Sequence, residues 1–109
     1  MSRPRIGALR HRFALEIAQR APDGAGGAIV TWSLVADIWS ELTSATGAEI
    51  VVAENISGRV SHVVHMRHRS DVAPAMRLRS GARVLDIVAV LDVDGRGRFL
   101  ECLCIEKNL

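Results

Sequence analysis

Residues 59–68 read Arg59-Val60-Ser61-His62-Val63-Val64-His65-Met66-Arg67-His68, and this stretch decides the fold. Its side chains sort in twos. Val60, His62, Val64, Met66 and His68 fall on one face, and Ser61, Val63, His65 and Arg67 on the other. A repeat of two is the repeat of a strand, whose successive side chains point to opposite sides; a helix repeats every 3.6 residues.

The same period extends outward in both directions. Phe13, Leu15 and Ile17 alternate with Arg12, Ala14, Glu16 and Ala18, which predicts a half-buried strand. Ala21-Pro22-Asp23-Gly24-Ala25-Gly26-Gly27 is turn chemistry, since proline presets φ and glycine accepts positive φ. Residues 29–35 and 38–43 read as strand on either side of a bend near Ala36-Asp37. On the C-terminal side, residues 76–79, 83–91 and 98–105 are strands, separated by Ser80-Gly81 and by a hairpin loop from Asp92 to Gly97. The total is an all-β fold: a small six- to seven-stranded barrel or sandwich with turns every 8–12 residues. One short helix or long loop is inserted mid-chain, over 43–57. There Ser44, Thr46 and Glu49 favour a helix start, while Ile50-Val51-Val52 favour extended chain.

Composition bounds the function. A chain of 109 residues has room for one domain, here 10–109. With 49% hydrophobic residues but only two Trp, two Phe and no Tyr, its core is aliphatic, and Trp32 and Trp39 are either part of it, the default reading, or interface anchors. A net charge of +2 is too small for a protein that coats nucleic acid. The positive charge is unevenly placed, however. Arg3, Arg5, Arg10 and Arg12 all precede the first acidic residue, Glu16, so residues 1–9, with Pro4 and Gly7, form a flexible basic arm. The longest apolar run, 87–91, is far below the roughly 20 residues of a membrane helix, and no apolar signal core follows the basic N-terminus. Cys102 and Cys104, two apart on one strand face, are expected as reduced, core-facing side chains.

Catalytic and metal motifs fare poorly. His62, His65 and His68 form H-x-x-H-x-x-H, but a strand turns His65 away from the other two. It also sets His62 and His68 roughly 20 Å apart, and ligands must converge on one ion at about 2 Å each. Asp92-Val93-Asp94-Gly95 starts like a calcium loop, yet Leu103 stands where a bidentate glutamate is needed. There is no nucleophile elbow, phosphate-cradling loop or C-x-x-C pair. No catalytic residue, metal or cofactor is expected.

One resemblance spans residues 9–106. It is carried by Leu9-Arg10-His11-Arg12, Ile29-Val30-Thr31-Trp32 and Val35-Ala36-Asp37-Ile38-Trp39-Ser40-Glu41. It continues through the region around Gly47, Val72-Ala73-Pro74-Ala75-Met76-Arg77, Gly81-Ala82-Arg83-Val84-Leu85-Asp86-Ile87, and the last strand with Cys102. In order and spacing this set resembles the head-tail joining family of tailed phages, the head-closure or stopper proteins. The resemblance implies a homo-oligomeric ring of six or twelve copies at the neck of a phage or gene-transfer particle assembled in the bacterial cytoplasm. An adaptor or portal ring would lie above it, a tail terminator or tail tube below, and double-stranded DNA in the lumen. It also implies a long inserted loop near the channel axis, which would set Glu49, Glu54 and Asn55 toward the lumen; the alternative is an amphipathic helix over one open end of the barrel, with Ile50 and Val51 buried. The basic arm, with Arg3, Arg5, Arg10 and Arg12, either touches phosphates or docks on a neighbour. It offers no catalytic residue. Two alternatives stand beside it: another neck component, such as a tail terminator or an adaptor, and a free nucleic-acid-binding β-barrel. Mainly helical adaptors fit the alternation badly.

Overall fold

The alternating segments do form strands, and several run longer than their local pattern indicates. The computed structural model describes residues 9–45 and 60–107. It contains β1 (His11–Pro22), β2 (Ala28–Ser44), β3 (His62–Arg67), β4 (Arg77–Ser80), β5 (Arg83–Asp92) and β6 (Phe99–Lys107). All neighbours pair antiparallel, in the order β1-β2-β3-β6-β5-β4, and β4 returns to β1. The result is a closed six-stranded barrel. Of the two architectures left open by the sequence, the structure takes the barrel. Among the described residues the only helical element is one 3-10 turn, Val93–Gly95.

Phe13, Leu15, Ile38, Val64, Met66, Leu78, Leu85, Ile87 and Leu100 fill the interior with both thiols, and Val72 and Met76 from the β3–β4 connection pack with them. Each fully buried side chain of this size contributes about 1.5–3 kcal/mol relative to exposure. A mainly aliphatic core, with Phe13 as its aromatic member, therefore suffices. Neither tryptophan joins it: Trp39 is 57% exposed and Trp32 lies half-buried on the outer wall. The default reading of core tryptophans fails because Trp39 pairs with Arg12, on the opposite face from the buried pair Phe13 and Ile38.

Two irregularities set the phase of the strands. Between β1 and β2 the register shifts at Leu15/Glu16, leaving Val35 as an extra residue. The bend read near Ala36 is this bulge, and β2 continues through it as one strand of 17 residues. In β5 a second shift, between Ile87 and Ala89, makes Val88 the extra residue. Ile87 thus points into the barrel, while Ala89, two residues on, joins a second cluster on the outer face with Val60, Val63 and Leu103. That cluster corrects another expectation. Val60 precedes β3 and packs with Val63, not with Val64 and Met66.

The β1–β2 turn is built by Asp23. Its Oδ1 accepts the N–H groups of Ala25 at 2.7 Å and Gly27 at 3.0 Å, which holds the Asp23 carboxyl below the usual carboxylate range. Gly24 and Gly26 carry the positive φ angles of 82° and 87° that the turn requires.

Candidate functional site

The most unusual surface is the outer part of the β1–β2 hairpin. β4 pairs with β1 only at Ala14, Leu15 and Glu16, and β3 pairs with β2 only from Ser40 onward. Beyond those points the two strands have only each other among the described residues. Ile17, Ile29, Val30, Leu34 and Val35 are exposed along this ribbon, with Trp39 at its base. The base is fastened by charge. Arg12 Nη2 donates to Asp37 Oδ2 at 2.8 Å, and Arg77 Nε donates to the buried Glu16 Oε1 at 2.7 Å. The Arg77 guanidinium also lies 4.1 Å over the Trp32 ring, a cation–π contact that holds the indole against the wall. Trp32 borders a shallow hollow with Pro74, Met76 and Asp86.

The three histidines go to three environments. His62 sits at the barrel end, with Nδ1 3.0 Å from Ser61 Oγ and Nε2 3.3 Å from Arg83 Nη2. Arg83 makes a two-pronged contact with Glu106, at 2.6 and 3.1 Å, and this holds the Glu106 carboxyl below its ordinary range. His65 is buried on the outer face, with Nε2 3.0 Å from Oε1 of Glu101, itself 1% exposed. Its Nδ1 lies 3.7 Å from Glu41 Oε1. His65 Nδ1 and Glu101 Oε2 are buried without a hydrogen-bond partner. His68 is exposed at the opposite barrel end, beside Arg98 and Phe99. Among the described residues no group of three or more His, Cys, Asp or Glu side chains has the geometry to hold a metal ion.

Cys102 and Cys104 are free and buried. Desolvation pushes the Cys102 thiol up to about 12 and the Cys104 thiol well above its ordinary value, so neither is poised as a nucleophile. Asp92 is used in a turn, where its carboxylate accepts the Gly97 N–H at 3.0 Å.

Of the residues singled out in the sequence, Glu49, Glu54, Asn55, Arg3 and Arg5 lie outside the described residues. So does most of the 43–57 insertion, although β2 itself runs through Thr43 and Ser44. Arg12 belongs to β1 and is anchored to Asp37. The exposed apolar ribbon was missed, although its signal is present: residues 28–36 contain no charge, proline or glycine.

The conspicuous surface of this small closed barrel is an apolar ribbon, its two thiols are buried, and Glu16, Asp37 and Glu106 are held in ion pairs. The phage head completion protein family matches residues 4–107, and the chain belongs to that family. Among solved structures, the chain is similar to one in the virion of a native gene transfer agent particle. The two are 30% identical, with 98% of each chain covered and a TM-score of 0.69. It is also similar to the protein SF1141 from Shigella flexneri 2a, at 25% identity over 94% of this chain and 96% of that one, with a TM-score of 0.72. No curated protein matches it.

Proposed function

We propose that this chain is the head-closure subunit of a tailed-phage-like or gene-transfer particle. Copies form a ring of six or twelve at the neck, between an adaptor or portal ring and a tail terminator or tail tube, and close the channel through which double-stranded DNA passes. The observation that carries this reading is membership of the head completion family over residues 4–107. Similarity over nearly the whole of both chains to a chain of a gene-transfer virion supports it. The six-stranded barrel also argues against a mainly helical adaptor.

Within this reading, the 43–57 segment faces the lumen, with Glu49, Glu54 and Asn55 nearest the axis, where carboxylates repel DNA phosphates. Arg3, Arg5, Arg10 and Arg12 form the docking arm, with Arg12 fixed to Asp37 at its root.

Electron microscopy of particles made with and without the gene tests the role. Particles lacking the protein are expected as DNA-filled heads without tails, and complete particles should show the barrel at the neck. Normally tailed particles without it, or barrel density elsewhere, would overturn the proposal. Shortening residues 46–57 to a Gly-Ser turn tests whether this segment closes the channel. A folded protein that joins the neck while DNA leaks supports it, and an insoluble protein ends it.

A further inference from the structure

Among the described residues, the outer hairpin presents two strand edges without a pairing partner, at one level. On β1 the free edge is residues 17–22, and on β2 it is the facing residues 28–33, which pair with them in register from Ile17↔Ser33 to Pro22↔Ala28. Exposed edges normally carry lysines, prolines or inward charges that discourage further pairing. Here the β2 edge from 28 to 36 carries none, and the β1 edge carries one charge, Arg20, and ends at Pro22. The Asp23 N–H donates to the Gly27 carbonyl at 3.2 Å. Antiparallel ladders alternate between bonded and non-bonded pairs, so the next inward-bonded pair is Ala21 and Ile29. Val30 and Trp32 on β2, and Ala18 and Arg20 on β1, then turn their backbone groups outward.

We infer that the free β2 edge of one copy pairs with the free β1 edge of the next, joining the hairpins head to tail into a continuous ribbon. The occupant is a second copy because this chain itself carries the complementary edge, of equal length and at equal height, and equally without a partner among the described residues. Copies arranged around a ring keep one orientation, so β2 of one runs antiparallel to β1 of the next, as within the hairpin. Two different edges meet, which is the heterologous contact that closes into a ring. At equal height Ile29 of one copy stands opposite Ala21 of the next, Val30 opposite the stem of Arg20 and Ser33 opposite Ile17, so cross-strand neighbours cover the exposed apolar side chains. The inference rests on the ring reading above.

Gln19 and Thr31 are exposed and face each other within the hairpin, so their side chains share one face of the ribbon. Copies bearing Gln19→Cys are co-assembled with mass-tagged copies bearing Thr31→Cys, and both free protein and particles are oxidised. Head-to-tail pairing predicts a mixed disulfide about tenfold above either like–like product. The native thiols are buried and do not compete. Adding Val30→Pro removes an outward donor and spares the bonds to β1, as proline on an edge does. It should abolish the mixed product while the free protein keeps its circular dichroism spectrum and melting temperature. Like–like products in excess, cross-linking to another particle protein only, or undiminished cross-linking in the proline variant would each overturn the inference. Electron microscopy of the same particles separates the two readings. A neck ring without the mixed disulfide removes the edge pairing alone, and a mixed disulfide in free protein with barrels located elsewhere removes the neck role alone.

Discussion

At the scale of single residues, the buried His65–Glu101 contact is the most consequential polar feature. Glu101 is 1% exposed, and among the described residues its side-chain partner is His65 Nε2, 3.0 Å away. Removing one member of such a pair strands the other in a water-excluded site, which costs about 3–5 kcal/mol, whereas replacing both with apolar side chains is often nearly neutral. His65→Ala should therefore lower the unfolding free energy by about 3 kcal/mol, and His65→Leu with Glu101→Leu by much less. Urea titration of the two single variants and the double variant checks this, and additive losses would show that the contact contributes nothing of its own. The thiols make a second prediction. Cys102 is held at about 12 against an ordinary value of 9.0. Below pH 9 both folded and unfolded chains keep the thiols protonated, and they add no pH dependence. As pH rises from 9 toward 12 only the unfolded chain ionises, so stability falls with pH across that window. Cys102→Ala with Cys104→Ala should flatten the alkaline limb of the melting temperature, and an unchanged limb would locate its cause elsewhere.

At the scale of elements, the β5 bulge does what alternation alone cannot. Ile87, Val88, Ala89 and Val90 form a continuous apolar run with no pattern to say which side chain faces in. The extra residue at Val88 places Ile87 and Val90 toward the core and Ala89 against Val63 and Leu103 outside. A one-residue change in register moves every later side chain to the other face. Deleting Val88 makes Ile87↔Cys104 and Ala89↔Leu103 consecutive pairs, so Val90 is expected to stay inward and the melt to stay cooperative. Inserting one alanine between Ala89 and Val90 should instead turn Val90 outward and abolish cooperative unfolding, and Val88→Ala should cost about 1 kcal/mol. A soluble insertion variant with a cooperative melt would show that β5 tolerates either phase, and a deletion variant that fails to fold would show that the extra residue itself is needed. The β1–β2 hairpin illustrates the same limit. Its turn was readable from Asp23 and the glycines, but the extent to which it outruns its neighbours depends on where β3 and β4 begin.

At the scale of the whole molecule, closure leaves few free edges, and those of the outer hairpin are short. Six residue pairs per edge bury far less than the roughly 800 Å² per partner of a standard stable interface. The isolated protein should therefore sediment as a monomer at micromolar concentration, and rings should form where a neighbouring neck component holds copies side by side. A stable free ring at that concentration would mean that a larger contact exists elsewhere on the barrel.

Strand identity and turn position were legible in the chain because both are local: side chains alternate by geometry, and Asp23-Gly24 or Ser80-Gly81 breaks the run on its own chemistry. The order of family-like segments was legible too, and with it the family to which the chain belongs. Register was not. Val35 and Val88 are apolar residues among apolar residues, and only pairing with β1 and β6 makes them the extra ones. Barrel closure required β4, four residues long, to bond to both β5 and β1. His65 and Glu101 stand 36 positions apart, and only the β3–β6 register brings them to 3.0 Å. The two tryptophans, whose default reading was core, lie outside it: Trp39 because β2 turns Ile38 and Ser40 inward, and Trp32 because the extra residue at Val35 pairs it with Ala18, on the face of Glu16. A residue's alternation is set by its own backbone, but which face becomes the interior is set by what the opposite strands bury.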